Sequence, residues 1–127
     1  MFKTKFSEPI LQFIRTQKLV RLATVSINHQ PDVVPVGFEF DGTYFWIGGH
    51  TREIFLRSYK YLNIKRGNTL VSMVMDDLES TFDVKVRGLK INGTAEIEEH
   101  DGRFGQGTYL KITPKSFRSW GILKPAY

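Results

Sequence analysis

Apolar runs with strand character divide the first half of the chain into short segments. Residues 19–27 combine high β propensity with partial period-two alternation, and residues 33–40 and 44–47 repeat that pattern. The dipeptide Asp41 and Gly42 between the last two runs is a strong hairpin signal. We therefore predict that residues 19–49 form an antiparallel meander of three strands.

Two residues disturb the second of these runs. Pro35 removes a ladder donor and Gly37 removes a packing side chain, so both indicate a sheet edge, a bulge, or a ligand close to the backbone. A bulge that closes a barrel corner is one interpretation, and a flat ring lying against the sheet is the other. The two are compatible, because bulges are common beside functional sites.

Two segments have helical spacing. Ser7 precedes Glu8 and Pro9, residue types that suit a helix start, and the apolar positions that follow predict a short helix covering the core. Residues 51–64 repeat apolar positions at i, i+3 and i+4, which predicts a second helix ended by Gly67.

The second half of the chain predicts three more strands, at residues 70–75, 84–98 and 109–112. Asn92 and Gly93 form either a tight hairpin turn or a bulge inside the long run. We favour the bulge, because a hairpin there would be very short. Residues 100–107 have the composition of a polar loop.

The expected fold class is mainly β. Six antiparallel strands at this spacing, with one or two peripheral helices, predict a small six-stranded antiparallel β-barrel. The 127 residues suit one domain, and 41% hydrophobic with 24% charged residues is a globular composition. We expect residues 1–127 to be that single domain.

Composition excludes several kinds of chemistry. The absence of Cys rules out disulfides, thiolate nucleophiles, zinc ribbons and iron–sulfur clusters. No apolar run can span a membrane and the start of the chain lacks a signal peptide pattern, so we expect a cytoplasmic protein. The net charge of +5 favours an anionic partner, such as nucleic acid, acidic lipid or a phosphorylated small molecule, or else is a solvated basic surface.

No self-contained catalytic motif is present in the sequence. Asp76 and Asp77 are adjacent at a strand end, where alternation points them to opposite faces and argues against paired-carboxylate catalysis. His50 follows two glycines at a strand-to-helix junction, where it caps the helix or contacts a ligand. His29 and His100 lie in turn-like clusters and are expected at the surface.

A set of residues would suit a phosphate-bearing cofactor. Gly48, Gly49 and Thr51 offer backbone donors at a predicted helix start, which is a ready anion site. Arg57 and Lys60 on the following helix supply positive charge, unless they only form a solvated helix face. Such a protein needs few catalytic side chains, because the cofactor supplies the difficult chemistry.

The order of several motifs resembles the pyridoxamine 5′-phosphate oxidase-like, FMN-binding split β-barrel family. The matching segments are residues 33–38, 47–50, 60–66, 75–78, 87–96, 109–114 and 119–122. Together they are similar to the small-protein branch described as deazaflavin (coenzyme F-420)-dependent enzymes. The resemblance covers about residues 10–123.

This resemblance implies a homodimer of split barrels with two cofactor sites at the subunit interface. The cofactor is FMN or, as the alternative, coenzyme F-420. The strand expected along the cofactor ring holds Pro35, Val36 and Gly37, and the strand end near the ribityl chain and phosphate holds Gly48, Gly49, His50 and Thr51. The implied phosphate contacts are Ser58 and Lys60 with the adjacent Arg57, the long-strand segment beside the ring is Gly88, Leu89 and Lys90, and the aromatic residue from the other subunit is Trp120.

The expected function is an oxidoreductase that transfers a hydride between the cofactor and an unknown small organic substrate. A non-catalytic flavin carrier or sensor is one alternative. A nucleic-acid-binding β-barrel is another, in which exposed aromatic rings would stack bases. The rings in question are Phe38, Phe40, Tyr44 and Trp46, for which core packing is the competing interpretation.

Overall fold

The structure is a computed structural model that describes residues 5–48, 51–78 and 85–122. Its helices are α1 (Glu8–Thr16), α2 (Arg52–Arg57) and α3 (Tyr59–Lys65). Its strands are β1 (Leu19–Val25), β2 (Pro31–Gly37), β3 (Glu39–Phe40), β4 (Phe45–Gly48), β5 (Leu70–Leu78), β6 (Val86–Gly102) and β7 (Gly105–Trp120). The described part of the chain is therefore mainly β, with seven strands instead of six and three helices instead of one or two.

All seven strands belong to one antiparallel sheet in the order β2-β1-β5-β6-β7-β4-β3. Its two edge strands, β2 and β3, are consecutive in the chain and are separated only by Phe38. In a flat sheet of this width the edges would lie about 29 Å apart, whereas Gly37 and Glu39 can be at most about 7.6 Å apart. The sheet therefore curls until its two edges meet.

The expected three-strand meander is wrong at this point. Residues 33–40 are not one strand, because the chain leaves the β1 side of the sheet at Gly37 and joins β4 from Glu39 onward. Pro35 lies in an edge strand, where its missing N–H costs no ladder hydrogen bond on the open side. The edge interpretation of Pro35 is confirmed.

The core fills the inside of the curled sheet. The largest fully buried apolar side chains there come from five strands and are Leu22, Phe45, Ile47, Met73, Met75, Leu89, Ile91, Leu110 and Ile112. Helix α1 covers this core with Ile10, Phe13 and Ile14, as its apolar spacing predicted. Arg87 binds the carboxylate of Asp77 with two hydrogen bonds of 2.7 Å beside the ring of Phe13.

The long β6–β7 ribbon confirms one prediction and corrects two. The register shifts between Asn92 and Gly93, so these residues form a bulge within one strand. Residues 100–107 are not a loop: β6 runs to Gly102, and Gly105 resumes pairing with a φ of 91°. The sixth predicted strand was too short, because β7 continues past residue 112 to Trp120.

The helix predicted over residues 51–64 is interrupted at Ser58. This residue has extended backbone angles and ends α2 while it caps α3. Its hydroxyl donates to the carbonyl of Phe55 at 2.6 Å and accepts from the amide of Tyr61 at 3.4 Å. Serine offers the backbone these local alternatives to a continuous helix, and that preference outweighs the apolar spacing.

Candidate functional site

A cleft opens between the edge strand β2 and the α2–α3 helices. Its volume is about 390 Å³. The residues that line it are Asp32, Val34, Ile54, Arg57, Ser58, Tyr59 and Lys60. The cleft thus combines an apolar wall with two cations and one carboxylate.

The half-buried cation of the cleft is Lys60, in the first turn of α3. Burial lowers the pKa of its amine, and the nearby carboxylate of Asp32 partly opposes that shift. The amine also lies 5.7 Å from the centroid of the Phe55 ring. Arg57, in the last turn of α2, is exposed at the same cleft. A partly desolvated ammonium group is stabilised by an anionic partner, because burial has removed some of its hydration. Lys60 is therefore the strongest anion-binding group in the cleft.

Helix α3 is held against the sheet by a buried polar contact. The side-chain amide of Asn63 donates to the hydroxyl of Thr24 on β1 at 2.9 Å, and both residues are almost completely buried. Thr24 is in turn the cross-strand partner of Asp32 on β2. This chain of contacts fixes the spacing between the helix that bears Lys60 and the strand that bears Asp32.

Ser58 lies in the cleft, but its hydroxyl is already used. The hydroxyl donates a hydrogen bond to the backbone carbonyl of Phe55 and accepts one from the backbone amide of Tyr61. The backbone N–H of Ser58 also donates to the Phe55 carbonyl, at 3.0 Å. Any anion in the cleft therefore receives its hydrogen bonds from other groups, with Lys60 and Arg57 the nearest cations.

The β2 residues expected along a cofactor ring do not share one face of the strand. Val36 packs against the core, whereas Pro35 is exposed on the opposite, outer face of the sheet. Gly37 lies under the ring of Phe104 at the tip of the β6–β7 ribbon, where a Cβ would come within 3.0 Å of the ring. Phe104 thus supplies one structural reason for glycine at position 37.

The strand end after β4 is described only in part. Gly48 packs against the ring of Tyr109, since a Cβ there would lie 2.8 Å from ring atoms. Gly49 and His50 lie outside the described residues. Thr51 is exposed at the start of α2, and its side chain makes no capping hydrogen bond.

A second group of expected site residues lies elsewhere on the sheet. Gly88 on β6 pairs with Trp120 on β7, and the indole occupies the space above the glycine. Leu89 is fully buried in the core, so only its backbone can reach a ligand, whereas Lys90 is exposed. Gly88, Leu89, Lys90 and Trp120 are not among the residues that line the cleft. Within one chain, Arg57, Ser58 and Lys60 therefore lie together in the cleft, and the second group of expected site residues lies outside it.

His100 is not the surface residue that its turn-like surroundings suggested. Its ring stacks on Trp46 with centroids 3.7 Å apart and planes 5° apart, and its Nε2 lies 3.3 Å from a carboxylate oxygen of Glu39. The correction follows from the longer β6 strand, which places His100 next to β4 rather than in a loop. Asp76 and Asp77 behave as predicted, since Asp76 pairs with Arg21 and Asp77 with Arg87.

The four aromatic rings considered for base stacking are buried or contact other side chains. Phe38 and Trp46 are buried, and Phe40 packs against the core. His100 lies over Trp46, and the Lys111 amine lies 4.1 Å from the centroid of the Tyr44 ring. These contacts support the packing interpretation over base stacking.

Sequence reasoning missed Asp32 as part of the cleft, because it lies in a cluster of turn residues. The available signal was its two-residue spacing from Val34, which places both on one face once the strand begins at Pro31. Across the described ranges, no cluster of three or more His, Cys, Asp or Glu could hold a metal ion. Within those same ranges, no helix has the length and apolar character to cross a membrane.

Comparison with known proteins identifies the family. A sequence profile described as pyridoxamine 5′-phosphate oxidase matches residues 6–120. The chain belongs to this family of pyridoxamine 5′-phosphate oxidase-like proteins. It is also 32% identical, over 121 residues, to a 5a,11a-dehydrotetracycline/5a,11a-dehydrooxytetracycline reductase of Streptomyces rimosus subsp. rimosus, a match that spans 92% of this chain and 84% of the relative.

Solved structures show the same fold at low identity. A conserved hypothetical protein of Mycobacterium tuberculosis superposes with a TM-score of 0.70 at 18% identity, covering 98% of this chain and 93% of that one. An F420 reductase superposes with a TM-score of 0.59 at 22% identity, covering 79% of this chain and 88% of that one. The family and its reductase relative support a flavin-type oxidoreductase in general terms.

Proposed function

We propose that this protein is an oxidoreductase that binds FMN, or alternatively coenzyme F-420, and transfers a hydride between that cofactor and a small organic substrate. The observation that supports this most is the family match over residues 6–120. The cleft at β2 adds a half-buried amine, suited to a phosphate, beside an apolar wall. When bound, the cofactor would supply the hydride chemistry.

The residues of the cleft have separate tasks in this proposal. Lys60 and Arg57 bind the phosphate group by charge-assisted hydrogen bonds. Ser58 acts indirectly, because its hydroxyl fixes the start of α3 and thereby the position of Lys60. Val34 and Ile54 provide apolar surface at the cleft wall.

The direction of the reaction has support from the relatives. The protein that is 32% identical to this chain is named a reductase, and so is one of the solved neighbours. We therefore propose that the reduced cofactor is the hydride donor and the organic substrate the acceptor. Gly49 and His50, between β4 and α2, stay proposed cofactor contacts.

We further propose a homodimer of split barrels. The outer face of the sheet bears apolar side chains that one chain leaves in water: Leu19, Val33 and Leu70 are 57%, 64% and 73% exposed. Large apolar side chains exposed on one face of a sheet in this way are typical of a protein interface. A second copy on this face would also explain why Gly88, Lys90 and Trp120 do not line the cleft of their own chain, since they would complete the site of the partner.

The proposal is tested by the visible absorption spectrum of the purified protein, followed by titration with FMN and with coenzyme F-420. A flavin spectrum, or saturable binding of FMN, supports the flavoprotein assignment. Binding of coenzyme F-420 alone selects the deazaflavin alternative. Binding of either without turnover of reduced cofactor favours a carrier or sensor, and binding of neither contradicts the proposal.

A further inference from the structure

The cleft contains a charge that works against its proposed ligand. Among the described residues that line it, Asp32 is the single acid and faces two cations, Arg57 and Lys60. A site built only to hold a phosphate would not need a carboxylate there, because like charges in one cleft repel.

The position of Asp32 is fixed by the fold. It lies in β2 opposite Thr24, whose hydroxyl receives the buried hydrogen bond from Asn63 of α3. Lys60 is on that same helix, one turn before Asn63. The contact therefore holds the strand that bears Asp32 and the helix that bears Lys60 as two walls of one cleft.

We propose that Asp32 is a selectivity residue: it weakens the binding of the phosphate group and so limits how strongly the cleft prefers a phosphorylated ligand over its unphosphorylated counterpart. The inference rests on the proposed function, because it assumes that the phosphate end of the cofactor occupies this cleft. A phosphate monoester has a charge of about −1.5 to −2 at neutral pH. Asp32 repels that charge and competes with it for the amine of Lys60.

The test compares wild-type protein with Asp32→Asn, a substitution of nearly the same shape. Both are titrated with FMN and with riboflavin, which lacks the phosphate. We expect Asp32→Asn to bind FMN about three- to tenfold more tightly at low salt, with riboflavin affinity unchanged. Asp101→Asn, which removes an equal charge from an exposed site in β6 outside the cleft, should leave both affinities unchanged.

Two results overturn the proposal. Affinity for FMN that is unchanged or weaker in Asp32→Asn shows that the carboxylate does not oppose the phosphate. An equal gain for FMN and riboflavin shows that Asp32 acts on the ring or on the fold instead.

A second measurement needs no cofactor. In lysine-labelled protein, the NMR signal of the Lys60 side chain reports its own titration. Because Asp32 raises the pKa of Lys60 against the effect of burial, that pKa should fall in Asp32→Asn. Titration with inorganic phosphate should then perturb the Lys60 signal at lower concentration in the variant than in the wild type.

These measurements distinguish a failure of cofactor binding from a failure of the role proposed for Asp32. If neither FMN, riboflavin nor coenzyme F-420 binds either protein, the proposed function fails. The phosphate titration then still decides the role of Asp32: tighter phosphate binding in Asp32→Asn supports it, and equal or weaker binding overturns it.

Discussion

The indole of Trp120 lies over Gly88, its cross-strand partner, and fills the space in which any other side chain at position 88 would begin. Glycine is therefore required here by a close approach between neighbours on the outer face of the sheet. The contact fixes an aromatic side chain that is still 36% exposed. It is this pair that we propose reaches the cofactor of a second copy.

Replacing Gly88 with alanine should displace the indole. We expect a loss of about 1–3 kcal/mol in the free energy of unfolding, measured by urea denaturation, together with a changed tryptophan emission spectrum. Gly107→Ala is the matched control, since a Cβ at position 107 meets no atom within 4 Å. Equal stability of the two variants would show that Trp120 does not depend on the glycine.

The exposed apolar face predicts how the oligomer responds to charge. Val33→Lys places an amine on that face, at its β2 edge, and should shift the protein from dimer to monomer in sedimentation equilibrium, because an unpaired charge would have to be buried. Ile27→Lys is the control: Ile27 is 57% exposed but lies in the turn before β2 rather than on the sheet. A Val33→Lys protein that stays dimeric contradicts the proposed interface.

Ser58→Ala separates a capping role from direct phosphate binding. Loss of the cap at the start of α3 should cost about 0.5–2 kcal/mol of stability, and Ser58→Thr, which keeps a hydroxyl, should recover most of it. At a temperature where both variants are folded, we expect less than a threefold change in affinity for FMN relative to riboflavin. A large loss that is specific to FMN would mean that the hydroxyl contacts the phosphate itself.

Low pH should remove the contribution of Asp77 to the stability of the folded protein. The hydrogen bond from Arg87 holds the pKa of this carboxyl below its usual value, with a further bond from Gln17 acting in the same direction against burial. A lowered pKa means that the stabilisation is present above the unfolded-state value of about 3.9, and is lost as the pH falls through the folded-state value.

The measurement is urea denaturation of wild type and Asp77→Asn at neutral pH and near pH 3. The variant should be about 1–2 kcal/mol less stable at neutral pH, and the difference should shrink in acid. Glu99→Gln, at an exposed position in β6, is the control for loss of one negative charge. A difference that stays constant with pH would exclude the ion pair as its source.

Local sequence patterns were sufficient to predict several structural elements. The apolar spacing of α1 predicted its covering of the core, and Asn92 with Gly93 predicted a bulge, because these features depend on residues close in sequence. The opposite directions of Asp76 and Asp77 followed from strand alternation alone. The motif order also led to the correct family.

The errors arose where distant residues decide the conformation. Nothing near Phe38 shows that β2 and β3 join opposite edges of the sheet, since that depends on how seven strands curl. The composition of residues 100–107 resembles a loop, yet pairing across the ribbon extends both strands through it. At the cleft, Lys60 was found from its motif, whereas Asp32 became visible only when the helix and the edge strand were brought together.

We propose that the cleft between β2 and α3 binds the phosphate of a flavin or deazaflavin cofactor through Lys60. The most direct test is the dissociation constant of FMN and of coenzyme F-420 for Lys60→Ala, with Lys115→Ala, an exposed lysine of β7, as the control. We expect Lys60→Ala to bind the cofactor of the wild type with at least about tenfold lower affinity. Lys115→Ala should bind that cofactor with the affinity of the wild type. An unchanged dissociation constant in Lys60→Ala would contradict the account.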